Sequence, residues 1–258
     1  MRPRRAMSLR VLLCAVAVLT MHRAAAATAV AIELVLAVDV SGSVRQDRFE
    51  LQRDGYAAAF RSAAVLQAIR STSTGSIAVA MVQWTGPTLH VVAVDWMLID
   101  DAAAAERFSA AIQAAPRALF GGGTSISRAI DYARAMLARA PYLGQRQVID
   151  VSGDGANNRG RPAEDARDEA VAAGAAINGL PILTLEPDLD DYYRHSVIGG
   201  PGAFVIAVNG YEEFADALRS KLIIEISGSG EHAVDVGLGE IGRGRRSVSL
   251  GGDLLHHP

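Results

Sequence analysis

Residues 32–38, IELVLAV, are apolar at every position but Glu33, and the run stops abruptly at Asp39. A segment this short and this rich in β-branched side chains predicts a strand covered on both faces, which needs helices on each side of its sheet. The period then changes. Phe49, Tyr56, Phe60 and Ala63 fall at i, i+7, i+11 and i+14, one face of a helical stretch across residues 46–69. Residues 77–84 and 89–94 predict two more strands. The Thr85-Gly86-Pro87 link between them is too short for a parallel crossover, so this pair is antiparallel.

The alternation continues to residue 226. An Ala-rich helix is expected over 100–114, stopped by Pro116, and beyond the Gly121-Gly122-Gly123 loop Ile126, Ile130, Ala133 and Leu137 mark another helical stripe. Residues 147–151 predict a strand, and the helix after it opens at Pro162, with Ala163, Ala166, Ala170, Ala173 and Ile177 along one face. Strands over 181–185 and 203–208 and a helix over 211–226 complete the series. This order specifies an α/β fold: a doubly wound, mostly parallel sheet with one antiparallel edge strand, in a single domain over 30–227.

Both ends of the chain differ from that domain. Arg2, Arg4, Arg5 and Arg10 precede an apolar run at 11–19, and small residues follow at 24–27, the three regions of a secretory signal peptide over 1–27. The run is too short to span a bilayer comfortably, so no membrane span is expected after cleavage, and the mature protein is expected in the periplasm or secreted. Cleavage near Ala27 removes five arginines and no acid, leaving 20 basic and 28 acidic residues; it also removes Cys14, the sole cysteine. An acidic chain of this kind gives nucleic acid no footing, and a chain without thiols has neither disulfides nor cysteine chemistry. Of the 25 basic residues only Lys221 is a lysine. Residues 228–258, rich in Gly, Arg and Ser without periodicity, are expected to form a flexible tail.

In a doubly wound sheet, ligands bind beyond the carboxyl ends of the strands, where the strand order reverses. Asp39, Ser41 and Ser43 in DVSGSV follow the first strand, Asp154 in VSGDG follows the fourth, and Thr124 ends the Gly-rich loop. If the first and fourth strands flank the reversal, these five oxygen-bearing side chains converge, with Gly42 permitting the tight turn. Two carboxylates and three hydroxyls, without His or Cys, are hard donors that suit Mg²⁺, Mn²⁺ or Ca²⁺ and disfavour zinc and copper. Helix capping would account for Ser43 with Asp47, and for Thr124 with Ser125, but it does not call for Asp39. Asp154 before Gly155 also suits a plain turn.

DVSGSV, GGGTS and SGDG together resemble the metal-ion-dependent adhesion site of von Willebrand factor type A domains, and the resemblance spans 30–227. With VIDVSGDGANN and VIGGPGAF, the chain is similar to an exported bacterial branch of that superfamily of unknown function. The resemblance implies Ser41, Ser43 and Thr124 as direct ligands, with Asp39 and Asp154 direct or water-bridged. It implies one divalent cation, Mg²⁺ before Mn²⁺ or Ca²⁺, and a protein partner whose acidic residue completes the coordination. Asn157-Asn158 departs from the general pattern of the superfamily and belongs either to partner recognition or to a helix cap.

The sequence contains neither a GxSxG elbow nor an HExxH pair. His195 is expected on a loop surface. The rival to a binding module is a metal-dependent phosphate-ester hydrolase with Asp39 as nucleophile and Arg45 or Arg159 facing the phosphate. A non-enzymatic binding module is the expectation. Its partner-binding residues are expected in the segment 186–202, where Tyr192, Tyr193 and Arg194 cluster in a chain only 5% aromatic. The alternative for that segment is that its tyrosines pack down and pin the loop.

Overall fold

The computed structural model describes residues 27–228. The expected signal peptide up to residue 26 and the expected tail from residue 229 lie outside the described residues. The strands are β1 (Thr28–Asp39), β2 (Ile77–Trp84), β3 (His90–Ile99), β4 (Tyr142–Gly153) and β5 (Ala175–Pro181), and they form one sheet ordered β3-β2-β1-β4-β5. All pairings are parallel except β2 with β3 at the edge. There the short link closes a tight turn, with Thr85 N donating to Leu89 O at 3.1 Å and Leu89 N to Gly86 O at 3.2 Å. The chain runs outward from β1 to β3 and returns to β4 on the other side of β1, so the order reverses between β1 and β4.

The helices are α1 (Gln46–Arg61), α2 (Ala63–Arg70), α3 (Ala102–Ala114), α4 (Ile126–Leu137), α5 (Ala163–Ala172), α6 (Leu189–Tyr192) and α7 (Phe214–Ser227). Successive strand side chains point to opposite faces, and β1 uses both. Ile32, Leu34, Leu36 and Val38 join a core with Tyr56, Phe60, Phe108, Phe214 and Leu218, from α1, α3 and α7. Val35 and Ala37 join a second core with Ile130 of α4, Ala166 of α5 and Tyr193. Both layers are anchored by fully buried large side chains, each contributing about 1.5–3 kcal/mol of burial free energy. Among the described residues no helix is long and apolar enough to cross a membrane.

Four local expectations are corrected. The stretch 46–69 is two helices, because Ser62 adopts an extended conformation and its side chain accepts from Val65 N, capping a new start. The helix opening at Pro162 ends at Ala172 rather than continuing to Ile177, since Gly174 turns the chain at φ 96°. The strand expected over 181–185 is therefore β5, six residues earlier in its start. The alanine run hid the boundary, being compatible with either element. Residues 203–208 form no ladder of their own; they run beside β5 through the isolated parallel bridges Gly179–Val205 and Ile182–Val208.

The only lysine of the sequence lies in the first core. Lys221 is fully buried on α7, with Nζ 2.6 Å from Asp150 and 2.7 Å from Glu225, and Asn178 Nδ2 donates to the same Glu225 oxygen at 2.7 Å. One ammonium thus serves two buried carboxylates.

Candidate functional site

Four of the five expected metal-site residues are joined by hydrogen bonds at the reversal between β1 and β4. β1 ends in Asp39, whose Oδ1 accepts from Ser41 N at 2.7 Å, a bond that folds DVSGS back on itself. Ser41 Oγ and Ser43 Oγ lie 3.1 Å apart, and Ser43 Oγ donates to Asp154 Oδ1 at 2.5 Å, tying the loop after β1 to the loop after β4. Ser43 is thus engaged across the crevice, and α1 takes Arg45 as its N-cap residue with no side-chain cap bond.

The fifth residue, Thr124, is held against the same loop by its backbone. Thr124 N donates to Asn158 Oδ1 at 3.0 Å, while Thr124 O accepts from Asn158 N at 2.9 Å and Arg159 N at 3.1 Å. Its hydroxyl stands 3.7 Å from where a Cβ on Gly155 would be, beside Asp154. The glycine loop before it needs its composition: Gly122 has φ 93°, and a Cβ on Gly86 would lie 2.4 Å from Gly122 O. Asn157 Oδ1 accepts from Ser127 N at 3.1 Å in the first turn of α4, so Asn157 caps a helix while Asn158 clasps Thr124.

Both carboxylates are buried, Asp39 wholly. Burial and the neighbouring Asp154 charge push the Asp39 carboxyl up to about 7, against the hydrogen bonds from Ser41. Asp39 Oδ2 is buried and has no hydrogen-bond partner among the described residues. Asp154 is better served, its Oδ2 accepting from Tyr211 Oη at 2.9 Å and from Arg48 Nη1 at 3.3 Å. Burial and Asp154 raise the Tyr211 phenol, which keeps it a donor.

The donor set fits a hard divalent cation. It comprises two carboxylates, hydroxyls of Ser41, Ser43 and Thr124, and one carboxylate oxygen left without a partner; its atoms are all oxygens. Among the described residues no three His, Cys, Asp or Glu side chains gather to hold a metal, so any cation here rests on hydroxyls as well as acids.

Several residues at the site were not anticipated. Arg48 and Gln52 lie four apart on α1, and Gln52 Nε2 donates to Asp39 O at 3.2 Å. A polar pair interrupting the apolar stripe of Phe49 and Tyr56 was the available signal. Arg117 Nη2 donates to Val40 O at 3.1 Å and Ser41 O at 3.0 Å and stacks under Phe120. Glu186 receives Ala156 N on both carboxylate oxygens, at 3.2 and 3.1 Å. The arginines considered for a phosphate fare differently: Arg45 is exposed and pairs with Asp47, and Arg159 lies against Gly123.

The expected partner-facing trio separates. Tyr193 is wholly buried, packed on Gly179 and Gly153, and so pins its loop as in the alternative reading. Tyr192 is half-buried, and Arg194 is exposed but paired with Asp190 at 2.6 Å and Asp191 at 2.9 Å on the same helical segment. The segment 186–202 is thus a short helix, α6, continued by a π-helical turn over Tyr193–Val197. Two apolar side chains flank the site instead. Phe120 is 68% exposed beside Gly121, whose Cα lies 3.8 Å from a Cβ position on Gly42, and Leu185 is 54% exposed beside Glu186.

A family described as a protein of unknown function, DUF1194, matches residues 29–230. Comparison with the curated proteins finds no match. Among solved structures the chain is similar to proximal thread matrix protein 1 from the mussel byssus, described with a zinc-occupied MIDAS motif (TM-score 0.54, 17% identity, 78% of this chain and 49% of that one). It is also similar to the pilus adhesin SpaC from Lactobacillus rhamnosus GG (TM-score 0.54, 15% identity, 79% and 31%). A von Willebrand factor type A protein from Catenulispora acidiphila follows (TM-score 0.51, 16% identity, 77% and 43%). The fold is that of a von Willebrand factor type A domain. The chain spans half or less of the length of these three structures.

Proposed function

Since the chain belongs to the DUF1194 family of proteins of unknown function, with the von Willebrand factor type A fold, we propose that it is an exported, metal-dependent protein-binding module rather than an enzyme. Asp39, Ser41, Ser43, Thr124 and Asp154 would hold one divalent cation, Mg²⁺ by preference. When bound, that ion supplies the positive charge that receives an acidic side chain of a partner protein. The observation that carries this reading is the chain of contacts Asp39–Ser41–Ser43–Asp154, at whose Asp39 end the buried Oδ2 has no hydrogen-bond partner among the described residues.

The protein's own groups do the positioning. The Ser41 N–H fixes the Asp39 carboxylate, Asn158 clasps the Thr124 backbone, and Tyr211 orients Asp154. Phe120, stacked on the Arg117 that holds Ser41 O, and Leu185, next to the Glu186 that holds Ala156 N, add exposed apolar surface beside the site loops, which suits a protein surface. The described MIDAS motif of the mussel protein and the adhesin role of SpaC are consistent with this use of the fold. Hydrolysis of a phosphate ester is disfavoured because Asp39, its nucleophile, is fully buried and its Oδ1 is engaged by Ser41 N. Export rests on the amino-terminal sequence pattern, and a periplasmic or secreted location follows from it.

Calorimetric titration of chelator-stripped protein with Mg²⁺, followed by pull-down from periplasmic extract with and without EDTA, tests the reading. Binding of one Mg²⁺ and EDTA-reversible capture that Ser41→Ala with Ser43→Ala abolishes are expected. Capture indifferent to both changes would place recognition on another surface.

A further inference from the structure

Arg48 stands in the first turn of α1 with 17% of its side chain exposed. Its Nη1 donates to Ser43 O at 3.1 Å and to Asp154 Oδ2 at 3.3 Å, and its guanidinium carbon lies 5.3 Å over the Tyr211 ring. A guanidinium is therefore lodged against one of the two carboxylates assigned to the metal. Asp39, the other carboxylate, accepts from Ser41 N through Oδ1, and its Oδ2 has no hydrogen-bond partner among the described residues. The two acids of the site are thus unequally treated, and the fold supplies the difference.

We propose that Arg48 is a built-in counterion that competes with the divalent cation for Asp154 and so sets the affinity of the site. This inference rests on the metal-binding reading above. Without the ion, the guanidinium offsets the Asp154 charge and limits its repulsion with Asp39. A divalent cation among the same oxygens meets a positive charge already in contact with one of them. Like charges this close in a partly buried setting repel strongly. Loading then requires Arg48 to give up its contact with Asp154. The bond to Ser43 O and the Tyr211 ring keep the displaced guanidinium at the edge of the site, where a partner's carboxylate arrives. The geometry makes Arg48 a positioning residue rather than a ligand.

The experiment is calorimetry with MgCl₂ on the chelator-stripped full chain, with thermal unfolding in EDTA and in Mg²⁺ as a second readout. Arg48→Gln, which removes the charge, is expected to tighten Mg²⁺ binding about tenfold, while Arg48→Lys, which keeps it, stays within about threefold of wild type. In EDTA, Arg48→Gln is expected to melt below wild type, and its gain in melting temperature on adding Mg²⁺ is expected to be the larger. Tyr211→Phe removes a hydrogen bond to the same oxygen without changing charge, and it is not expected to tighten binding. Wild-type binding that Arg48→Gln leaves unchanged or weakens overturns the counterion alone. Absence of Mg²⁺ binding in every variant overturns the metal site and the counterion with it.

Discussion

Tyr193 Oη and Asp39 Oδ2 both face Gly153: a Cβ at that glycine would stand 3.1 Å from the phenol and 3.0 Å from the carboxylate. Both oxygens are buried, and neither has a hydrogen-bond partner among the described residues. Their common neighbour at the end of β4 places the loop of α6 beside the candidate metal site. Gly153→Ala crowds both oxygens with a methyl, so it is expected to lower the melting temperature by several degrees and to weaken Mg²⁺ binding at least tenfold. Calorimetry on the folded variant checks this; unchanged affinity would detach Gly153 from the site.

Tyr193 and its neighbours separate packing from recognition. Tyr193→Ala opens a cavity beside Gly179 and is expected to cost about 3–5 kcal/mol in urea denaturation. Tyr193→Phe keeps the ring and is expected to stay within about 1 kcal/mol of wild type. Tyr192→Ala and Arg194→Ala are expected to leave stability nearly unchanged, within about 1 kcal/mol, so any loss of partner binding in them reports recognition.

Phe120, beside the Gly-rich loop, and Leu185, beside the Glu186 that receives Ala156 N, are exposed apolar side chains. The double change to serine is expected to alter stability by no more than about 0.5 kcal/mol, because neither side chain is buried. Partner capture is expected to fall while Mg²⁺ affinity holds. Capture at wild-type strength would remove both side chains from the interface.

The buried ion cluster gives stability a pH dependence. Burial first, and Glu225 next, raise Asp150 to about 7 despite the pull of Lys221. In the unfolded chain the same carboxyl titrates near its ordinary value, 3.8. The folded protein therefore keeps a proton that the unfolded chain releases. That contribution is complete below about pH 4 and is lost as pH rises through about 7. Asp39, raised for similar reasons, acts in the same direction. Asp150→Asn has no such proton, so its stability profile between pH 4 and 7.5 is expected to be flatter in urea titrations. Lys221→Met, which leaves two acids without their cation, is expected to cost about 3–5 kcal/mol near neutral pH.

The sequence was most informative where its chemistry and its periodicity agreed. The abrupt end of an apolar strand at Asp39 located the site, because a buried strand and a loop acid have opposite solvation needs. The short turn at Thr85–Leu89 determined the antiparallel edge, since two strands so joined have no room for a crossover. The boundary between α5 and β5 was hidden because residues 170–176 are nearly all small and apolar, a composition that suits either element. Arg48 and Tyr211 escaped notice for another reason. They reach Asp154 from positions 106 before it and 57 after it, contacts that only the packing of α1 and of the turn before α7 creates.

The burial of Lys221 also gives the molecule an unusual reactivity. Every other basic side chain apart from the histidines is a guanidinium, so the folded domain offers amine-directed reagents no lysine on its surface. Acylation of Lys221 can proceed only when α7 lifts from the sheet. Its rate would therefore report the opening of that helix at a single side chain, without any engineered probe.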